Sequence, residues 1–299
     1  MSEVTADMRP SFLPAMYHVA DRAATATRRR HMRLVAANLC LVLAVAVVAS
    51  VSVSSVEGRR IQAAITAAVF GLSLILSLVV AASKYDRVWV ESRALAESIK
   101  SSAWRFAMSA PPFDALSAKE AERKLLEQLQ ALVRKAPMAI GFQAADDRQE
   151  ITDGMVALRA AGVDVRRDRY ISDRVADQRA WFAAKASSAA RASRAWGALL
   201  LAAQAGGLAA ALVAIWGAGA RFNARPVCAA FAAVSLGWLR ATQHRGIAAT
   251  YTAMSHTLKL TGESARSADT EAAFIKIVVD TEAVLEQENG AWMQRRSAA

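Results

Sequence analysis

Two long apolar runs near the start of the chain constrain its fold more than any other feature. Leu34–Ser55 and Ile61–Ser83 contain no charged residue, and only Val56-Glu57-Gly58-Arg59-Arg60 separates them. A helix needs roughly 20 apolar residues to cross a hydrocarbon core about 30 Å thick. Backbone groups in lipid must be hydrogen-bonded within the protein, so each run is predicted to be helical. The pair predicts a transmembrane helical hairpin, because the connection is too short to hold a domain.

A second pair of apolar runs predicts a second hairpin. Trp196–Ala220 is uncharged and long enough to span a bilayer, whereas Pro226–Leu239 falls short of the usual length. Arg225 and Arg240 can snorkel to the headgroups at its two ends. Pro226–Leu239 is therefore either a fourth transmembrane helix or a re-entrant or surface-lying helix. The predicted fold class is an all-α integral membrane protein with two transmembrane helical hairpins and long cytoplasmic helices.

The distribution of charge favours a membrane protein over a soluble one. The chain is 55% hydrophobic and 21% charged, with a net charge of +11, yet its apolar runs carry none of that charge. A basic excess is also typical of nucleic-acid-binding proteins. Here the arginines cluster at the ends of the apolar runs, where cations fix orientation in a bilayer. We therefore expect the lipid bilayer as a partner and no nucleic acid. Cys40 and Cys228 lie inside apolar runs and are expected to be buried thiols rather than a disulfide.

Basic residues near the apolar runs predict the topology. They are frequent in the N-terminal segment, the middle segment and the tail, and fewer in the two short connections. The three segments carry Arg28, Arg29, Arg30, Arg33, Lys84, Arg87, Arg93, Arg191, Arg194, Arg240 and Arg245, and the connections carry Arg59, Arg60, Arg221 and Arg225. By the positive-inside rule, both termini and the middle segment are expected in the cytoplasm. The predicted location is the inner (plasma) membrane, crossed several times.

A polar stripe runs along the second apolar helix. Gln62, Thr66, Ser73 and Ser77 fall within roughly 60° of one another when each residue turns the helix by about 100°. Such a stripe is typical of helix–helix packing or of the wall of an aqueous pore, and the sequence leaves both open. Gln204, inside the third run, is a further pore-lining candidate.

Small residues in the third run predict a face for close helix packing. They repeat every four positions, and small side chains let two helix backbones approach closely in a membrane. The repeat comprises Ala202, Gly206, Ala210 and Ala214.

The segments outside the apolar runs are predicted to form cytoplasmic helices. Lys84–Met108 keeps apolar residues at a spacing of three and four and ends before Pro111-Pro112. Ser117 is a candidate N-cap for a second helix. Ile171–Ala195 is predicted as an amphipathic helix that leads into the third run, and Arg240–Ala299 as a helical tail.

No pattern typical of an enzyme occurs in the chain. The four histidines are scattered, and the sequence contains no Cys-x-x-Cys and no Gly-x-Ser-x-Gly. No carboxylate lies inside an apolar run, which argues against a proton- or cation-coupled transporter. Glu97 and Glu282 are interpreted as solvated residues or as partners in inter-helix salt bridges. We expect no enzyme activity, no cofactor and no metal.

Three stretches of the chain resemble parts of SLATT domains. Trp89, Arg93, Glu97, Lys100 and Trp104-Arg105-Phe106, followed by Pro111, resemble the segment after the hairpin. Arg169-Tyr170, Arg174, Asp177-Gln178, Trp181-Phe182 and Lys185-Ala186 resemble the segment before the hairpin in another SLATT subtype, and Leu285-Glu286-x-Glu288-Asn289-x-x-Trp292 resembles the closing helix of that subtype.

The resemblance covers nearly the whole chain and implies two SLATT units in tandem. The domains expected from it are a cytoplasmic N-terminal segment (1–33), a first unit (34–136), a linker (137–168) and a second unit (169–299). SLATT domains are two-helix membrane modules found beside nucleotide-second-messenger synthases and SLOG sensor domains in bacterial conflict systems. The resemblance therefore implies an effector of anti-phage defence that opens the membrane as a homo-oligomer, with a cytoplasmic sensor or a nucleotide synthase as possible partners. A membrane-anchored helical scaffold and a regulated ion channel without toxicity remain alternatives.

Overall fold

A computed structural model of the chain describes residues 12–83, 85–136, 146–215 and 223–297, and all regular structure within these ranges is helical. The elements are α1 (Ala15–Ser50), α2 (Val56–Ala82), α3 (Tyr85–Ala107), α4 (Ala118–Lys135), α5 (Asp153–Ala160), α6 (Val163–Arg169), a π-helical segment (Tyr170–Ala176), α7 (Asp177–Ile215), α8 (Ala224–Thr242), α9 (His244–Arg266) and α10 (Glu271–Ser297). The all-α prediction is confirmed for the described residues.

Contacts between residues divide the chain into two compact units that interleave along the sequence. The bundle unit comprises the described parts of Met1–Arg29, Tyr85–Trp181 and Met254–Ala299. The apolar unit comprises the described parts of Arg30–Lys84 and Phe182–Ala253. Each unit therefore takes residues from both of the sequence repeats that the resemblance implies.

Helix α3 is the centre of the bundle unit. It packs against α4, α5 and α10. The apolar core that surrounds it contains Ala20, Leu95, Ala96, Ile99, Ala103, Phe106, Phe113, Ala121, Leu125, Leu129 and Met155. Met155 belongs to α5, so a helix within the predicted linker 137–168 contributes to this core. Residues 137–145 of that linker lie outside the described part of the chain.

Two arginines of the bundle unit hydrogen-bond to the chain reversal that follows α3. Arg159 donates to the carbonyl oxygens of Phe106, Phe113 and Leu116 at 2.9, 2.7 and 3.2 Å. Arg166 donates to the carbonyl oxygen of Met108 at 2.6 Å. The last carbonyl groups of a helix have no partner within it. These guanidinium groups supply such partners and tie α5 and α6 to the end of α3.

The π-helical segment keeps a four-residue repeat on one face of its helix. Arg166, Tyr170, Arg174 and Gln178 are 7%, 0%, 2% and 6% exposed. An α-helix has 3.6 residues per turn, so residues four apart drift by about 40° at each step. A π turn closes a wider hydrogen-bonded ring and holds more residues. Tyr170–Ala176 therefore offsets the drift, and all four side chains point into the bundle unit.

The apolar unit exposes large hydrophobic side chains along its helices. Helix α2 has no buried residue, and Leu74 and Ile75 on it are 61% and 58% exposed. On α7, Leu201 and Leu208 are 67% and 63% exposed. Soluble monomers rarely expose apolar surface that extends over whole helices. Within the described ranges, three helical stretches are long and apolar enough to cross a membrane: Ala15–Ser50, Val56–Ala82 and Val163–Ile215. Helix α8 is not among them.

The turn between α1 and α2 lies five residues earlier than the sequence predicts. Helix α1 ends at Ser50 and α2 begins at Val56, so the predicted turn residues Val56-Glu57-Gly58-Arg59-Arg60 are helical. The Ser55 hydroxyl accepts a hydrogen bond from the Gly58 backbone N–H at 3.1 Å and caps α2. Gln62 donates to the carbonyl oxygens of Val48 and Val51 at the end of α1. Local polar contacts therefore set the boundary within an uninterrupted apolar sequence.

Helix α8 packs against both α7 and α1. A Cβ atom added at Gly207 would lie 3.3 Å from Cβ of Cys228, so α7 and α8 approach closely there. The rings of Trp196 and Trp238 lie 5.7 Å apart between the same two helices. The backbone N–H of Asn223 donates to the carbonyl oxygen of Ser50 at 2.9 Å, which joins the start of α8 to the end of α1. Cys228 is half-buried in this contact, whereas Cys40, expected to be buried, is exposed on α1.

Candidate functional site

A buried ion pair joins the π-helical segment to α10. The guanidinium group of Arg174 donates to both carboxylate oxygens of Glu282, with Nε–Oε1 and Nη2–Oε2 distances of 2.9 and 2.6 Å. Their side chains are 2% and 0% exposed. The Tyr170 hydroxyl donates to the same Oε1 at 2.9 Å. The third guanidinium nitrogen, Nη1 of Arg174, is buried without a hydrogen-bond partner among the described residues.

A second cluster of charges lies on successive turns of α3. Nη2 of Arg93 and Nζ of Lys100 lie 2.5 and 3.5 Å from the same oxygen, Oε1 of Glu97. Arg93 also contacts Asp21 of α1 at 3.2 Å. Glu97 and Lys100 are 3% and 9% exposed. This cluster therefore holds two cations around one buried carboxylate.

Burial and ion pairing act in opposite directions on the charged groups of this cluster. Burial alone would raise the pKa of Glu97, but Lys100 and Arg93 lower it from 4.5 to about 2. Burial lowers the pKa of Lys100, Glu97 opposes this effect, and the nearby Arg174 and Arg93 lower the pKa further. The three cations Arg93, Lys100 and Arg174 are balanced by the three carboxylates of Asp21, Glu97 and Glu282, which offset the repulsion among the cations.

Aromatic rings surround these charges. The ring of Trp104 lies 4.8 Å from that of Phe12 and 5.7 Å from that of Tyr170. Nζ of Lys100 lies 5.3 Å from the centre of the Tyr17 ring, which is within the range of a cation–π contact. Arg93 makes a similar contact with Trp181 at 5.5 Å.

Some of these charged and aromatic groups line a cavity of about 450 Å³ within the bundle unit. Its walls come from the first turns of α1, from α3 and α5, and from the stretch that runs from α6 into α7. The lining residues are Phe12, Leu13, Tyr17, His18, Asp21, Lys100, Trp104, Leu158, Arg169, Asp173, Arg174, Asp177 and Gln178. Sites for small molecules are typically apolar hollows of roughly 300–1,000 Å³ with a few convergent polar groups. The cavity has the size and the chemistry of such a site.

Many of the residues that carry the family resemblance lie in the bundle unit, with described side chains. They include Trp89, Arg93, Glu97, Trp104, Tyr170, Arg174, Gln178 and Trp181. Residues from the two repeats touch one another there, as the contacts between Trp104 and Tyr170 and between Arg93 and Trp181 show. Lys185 belongs to the apolar unit, and Trp292 lies in α10 beyond the last side chain that the structure describes.

The polar stripe of α2 faces α1 in the structure. Ser73 donates to Oδ1 of Asn38 at 2.6 Å, and the Asn38 amide donates to Ser77 at 3.3 Å. Thr66 donates to the carbonyl oxygen of Gln62, whose own amide group bonds to the end of α1. These contacts favour helix packing, one of the two interpretations that the sequence leaves open. Gln204 is exposed on α7.

The small-residue repeat of α7 lies partly at a helix contact. A Cβ atom at Gly206 would lie 3.6 Å from the sulfur atom of Cys228, and Ala210 is half-buried. Ala202 and Ala214 are exposed. Gly207, one position beyond the repeat, makes the closest approach to α8.

Sequence reasoning missed Tyr17 and Phe12 as cavity residues and the burial of Glu282. Phe12 and Tyr17 lie in a segment read only for its charge. A signal for Glu282 was present, because Phe274, Val278 and Glu282 are spaced by four along one helical face and all three are 0% exposed. A carboxylate in line with buried apolar residues predicts a buried partner of opposite charge.

Comparison with known families gives two matches in tandem. Residues 14–167 match the family described as "SMODS and SLOG-associating 2TM effector domain 3". Residues 170–292 match "SMODS and SLOG-associating 2TM effector domain 1". No curated protein and no solved structure matches the chain significantly.

Proposed function

Since the chain belongs to the SLATT family of two-transmembrane effector domains and carries two of them in tandem, we propose that it permeabilises the bacterial inner membrane in response to a signal. SLATT domains are effector domains tied to conflict and defence systems. The proposal assigns membrane crossing to the apolar unit and signal reception to the bundle unit. One observation carries it: most charged residues belong to one unit, and the helices with exposed apolar side chains belong to the other.

The composition of the bundle unit supports the proposed topology. The N-terminal, middle and C-terminal segments, which basic residues predict to be cytoplasmic, pack together in this one unit. Segments that fold together lie on the same side of a membrane. The chain must therefore cross an even number of times between them, and the return path after α7 is α8. Its 19 residues span about 28 Å at 1.5 Å per residue, close to a hydrocarbon core of about 30 Å.

Pore formation requires several copies of the chain. Four helices enclose too little space for an aqueous passage, and the polar groups of the α2 stripe already have partners on α1. The proposed pore is therefore a homo-oligomer in which an exposed polar side chain such as Gln204 meets water. A passage lined by uncharged polar groups would discriminate weakly among ions.

Dye release from liposomes tests the proposal. Liposomes that hold the purified chain are expected to release a small dye, and expression in a bacterium is expected to collapse the membrane potential once the signal is present. Gln204→Leu should reduce release several-fold, because it removes the polar group that faces the passage. Ala205→Leu, on the next position of the same helix, is the matched control and should leave release unchanged. Intact liposomes and unchanged potential under every activating condition would refute permeabilisation.

A membrane-anchored scaffold is the second candidate function. One observation favours it: the stripe residues Gln62, Thr66, Ser73 and Ser77 are all hydrogen-bonded within the hairpin, which a membrane anchor without a pore would also require. A scaffold would tolerate Gln204→Leu and would retain a cytoplasmic partner on the membrane without any leak. A channel without toxic activity would conduct ions but leave the growth of the host unchanged.

A further inference from the structure

We propose that the cavity of the bundle unit binds a small molecule that joins a planar ring to an anionic group. This inference concerns binding alone and goes beyond the proposed membrane activity. It rests on unpartnered donors, on the arrangement of aromatic rings and on the size of the cavity.

The donors that line the cavity are only partly used by the protein. Nη1 of Arg174 is buried and has no hydrogen-bond partner among the described residues. Leaving a buried charged donor without an acceptor is unfavourable. Nζ of Lys100 has three N–H groups but makes one long hydrogen bond, 3.5 Å, to Glu97 beside its cation–π contact with Tyr17. Both side chains line the cavity, so an acceptor bound there could satisfy them together.

The acidic residues of the cavity wall do not cancel this preference. Asp21 is paired with Arg93 at 3.2 Å. Asp173 is paired with Arg169 at 3.1 Å and accepts a hydrogen bond from Ser172. Asp177 has a partner too. The buried part of the wall, at Lys100 and Arg174, is the part that carries donor groups without full partners.

A ligand with a planar ring also needs an apolar surface to pack against. Three aromatic side chains of the cavity provide one. Phe12, Tyr17 and Trp104 all line the cavity. Offset or edge-on contacts with such rings stabilise a bound aromatic group. Leu13 and Leu158 add apolar surface beside them. Because the rings and the donors share one hollow of about 450 Å³, one ligand of modest size can contact both.

Isothermal titration calorimetry on the full chain in lipid nanodiscs tests the proposal. The probes that combine a ring with an anion are adenosine 5′-monophosphate, guanosine 5′-monophosphate and phenyl phosphate, and the half-probes are adenosine and inorganic phosphate. We expect saturable binding of at least one combined probe, with one site per chain, and at least tenfold weaker binding of each half-probe. The combined probes also distinguish a nucleotide from a simple aromatic phosphate.

Two cavity variants and one surface variant assign the binding to this site. Lys100→Met and Gln178→Leu should each weaken binding at least tenfold. Lys276→Met, which removes an exposed cation of α10, should leave binding unchanged. Lys100→Met keeps Arg93 as a partner for Glu97, and Gln178 lies on a different helix, so one variant remains usable if the other fails to fold.

No saturable binding of any combined probe, or binding that both folded cavity variants retain, would overturn the proposal. Liposome leakage is measured separately and does not bear on this outcome.

Discussion

At the scale of single residues, the ion pair of Arg174 and Glu282 governs how the bundle unit assembles. Burying two charges costs several kcal/mol per ion, and mutual attraction offsets this cost only when the geometry is good and the remaining donors have partners. The pair has good geometry, because Arg174 makes two parallel hydrogen bonds to Glu282 and the Tyr170 hydroxyl adds a third. The remaining donors are not all satisfied, because Nη1 of Arg174 has no partner among the described residues. We infer that the pair specifies which helices meet more than it adds stability.

Removing one partner of this pair should therefore be more harmful than removing both. Glu282→Leu leaves a buried guanidinium group uncompensated and should destabilise the bundle unit by about 3–5 kcal/mol. The double variant Arg174→Met with Glu282→Leu should recover much of that loss. Thermal unfolding followed by circular dichroism in nanodiscs measures both. Lys276→Met, in a pair whose side chains are 77% and 61% exposed, should change stability by less than about 1 kcal/mol. A single variant no worse than this control would show that Glu282 is not buried with a partner.

The carboxylate of Glu97 should make the bundle unit sensitive to acid. Its pKa falls from 4.5 to about 2 on folding, so the unfolded chain binds the proton more readily. The stabilisation is therefore fully present above pH 4.5 and is lost as the pH falls from 4.5 to about 2. Its size is on the order of 3 kcal/mol. Glu97→Gln should lower the unfolding midpoint at pH 7 and should match the parent chain near pH 2. The exposed control Asp280→Asn should leave the unfolding midpoint at pH 7 unchanged. A difference between Glu97→Gln and the parent chain that stayed constant across the pH range would show that Glu97 is not the titrating group.

The sequence singles out some residues of the cavity, but it does not predict the cavity itself. Trp104, Arg174 and Gln178 stand out because they carry the family resemblance. Tyr17 was not recognised, because it reaches the cavity from a distant part of the chain and no local pattern encodes that contact. The same reason hid the pairing of Arg174 with Glu282, which are 108 residues apart. Local spacing predicts the face of a helix but not the partner that covers it.

At the scale of elements, the π-helical segment should be intolerant of a deletion. Removing Ser172, an exposed residue within it, would convert the extra-wide turn to α geometry and leave Tyr170 and Arg174 only three residues apart, about 60° short of a full turn. Tyr170 and Arg174 could then no longer both reach Glu282. We expect loss of the cooperative unfolding transition or a markedly lower midpoint, whereas Ser172→Ala should behave as the parent chain. An unchanged midpoint after the deletion would show that the segment has no role in register.

The contact between α7 and α8 provides a second test at this scale. At position 207, an added Cβ atom alone would lie 3.3 Å from Cβ of Cys228. The larger side chain of Gly207→Leu would therefore collide with Cys228. Overpacking of this kind costs about 1–3 kcal/mol, and Cys228→Ala should restore part of the loss. Ala202→Leu introduces the same side chain at an exposed position and should leave thermal stability unchanged. If Ala202→Leu proved the more harmful of the two, the small-residue repeat would instead pack against another copy of the chain.

Helix boundaries show where sequence patterns stop being informative. The apolar run Leu34–Ser55 predicted a helix correctly, but hydropathy alone placed its end five residues too late. The Ser55 cap and the Gln62 side chain fix the boundary instead. Ser117 shows the opposite case, since its backbone N–H bonds to Glu120 at 3.0 Å where the sequence predicted a helix start. Capping residues in polar sequence are easy to recognise, whereas those in apolar sequence are hidden.

At the scale of the whole molecule, the interleaved units lead to a prediction about membrane sidedness. In a chain with Cys40→Ser and Cys228→Ser, a cysteine introduced by Ser54→Cys or Asn223→Cys should react with an impermeant maleimide added outside the cell. One introduced by Asp147→Cys or Ser267→Cys should react only after the membrane is opened, because both residues belong to the bundle unit. Labelling of Ser267→Cys from outside would show that α8 does not return the chain to the cytoplasm.

The order of the elements in the bundle unit also has a consequence for biosynthesis. Glu282 lies on α10, the last helix of the chain, whereas its partner Arg174 is translated 108 residues earlier. A nascent polypeptide therefore carries an uncompensated guanidinium group until α10 has left the ribosome. The ion pair that joins the π-helical segment to α10 can form only after translation of the apolar stretches that lie between them.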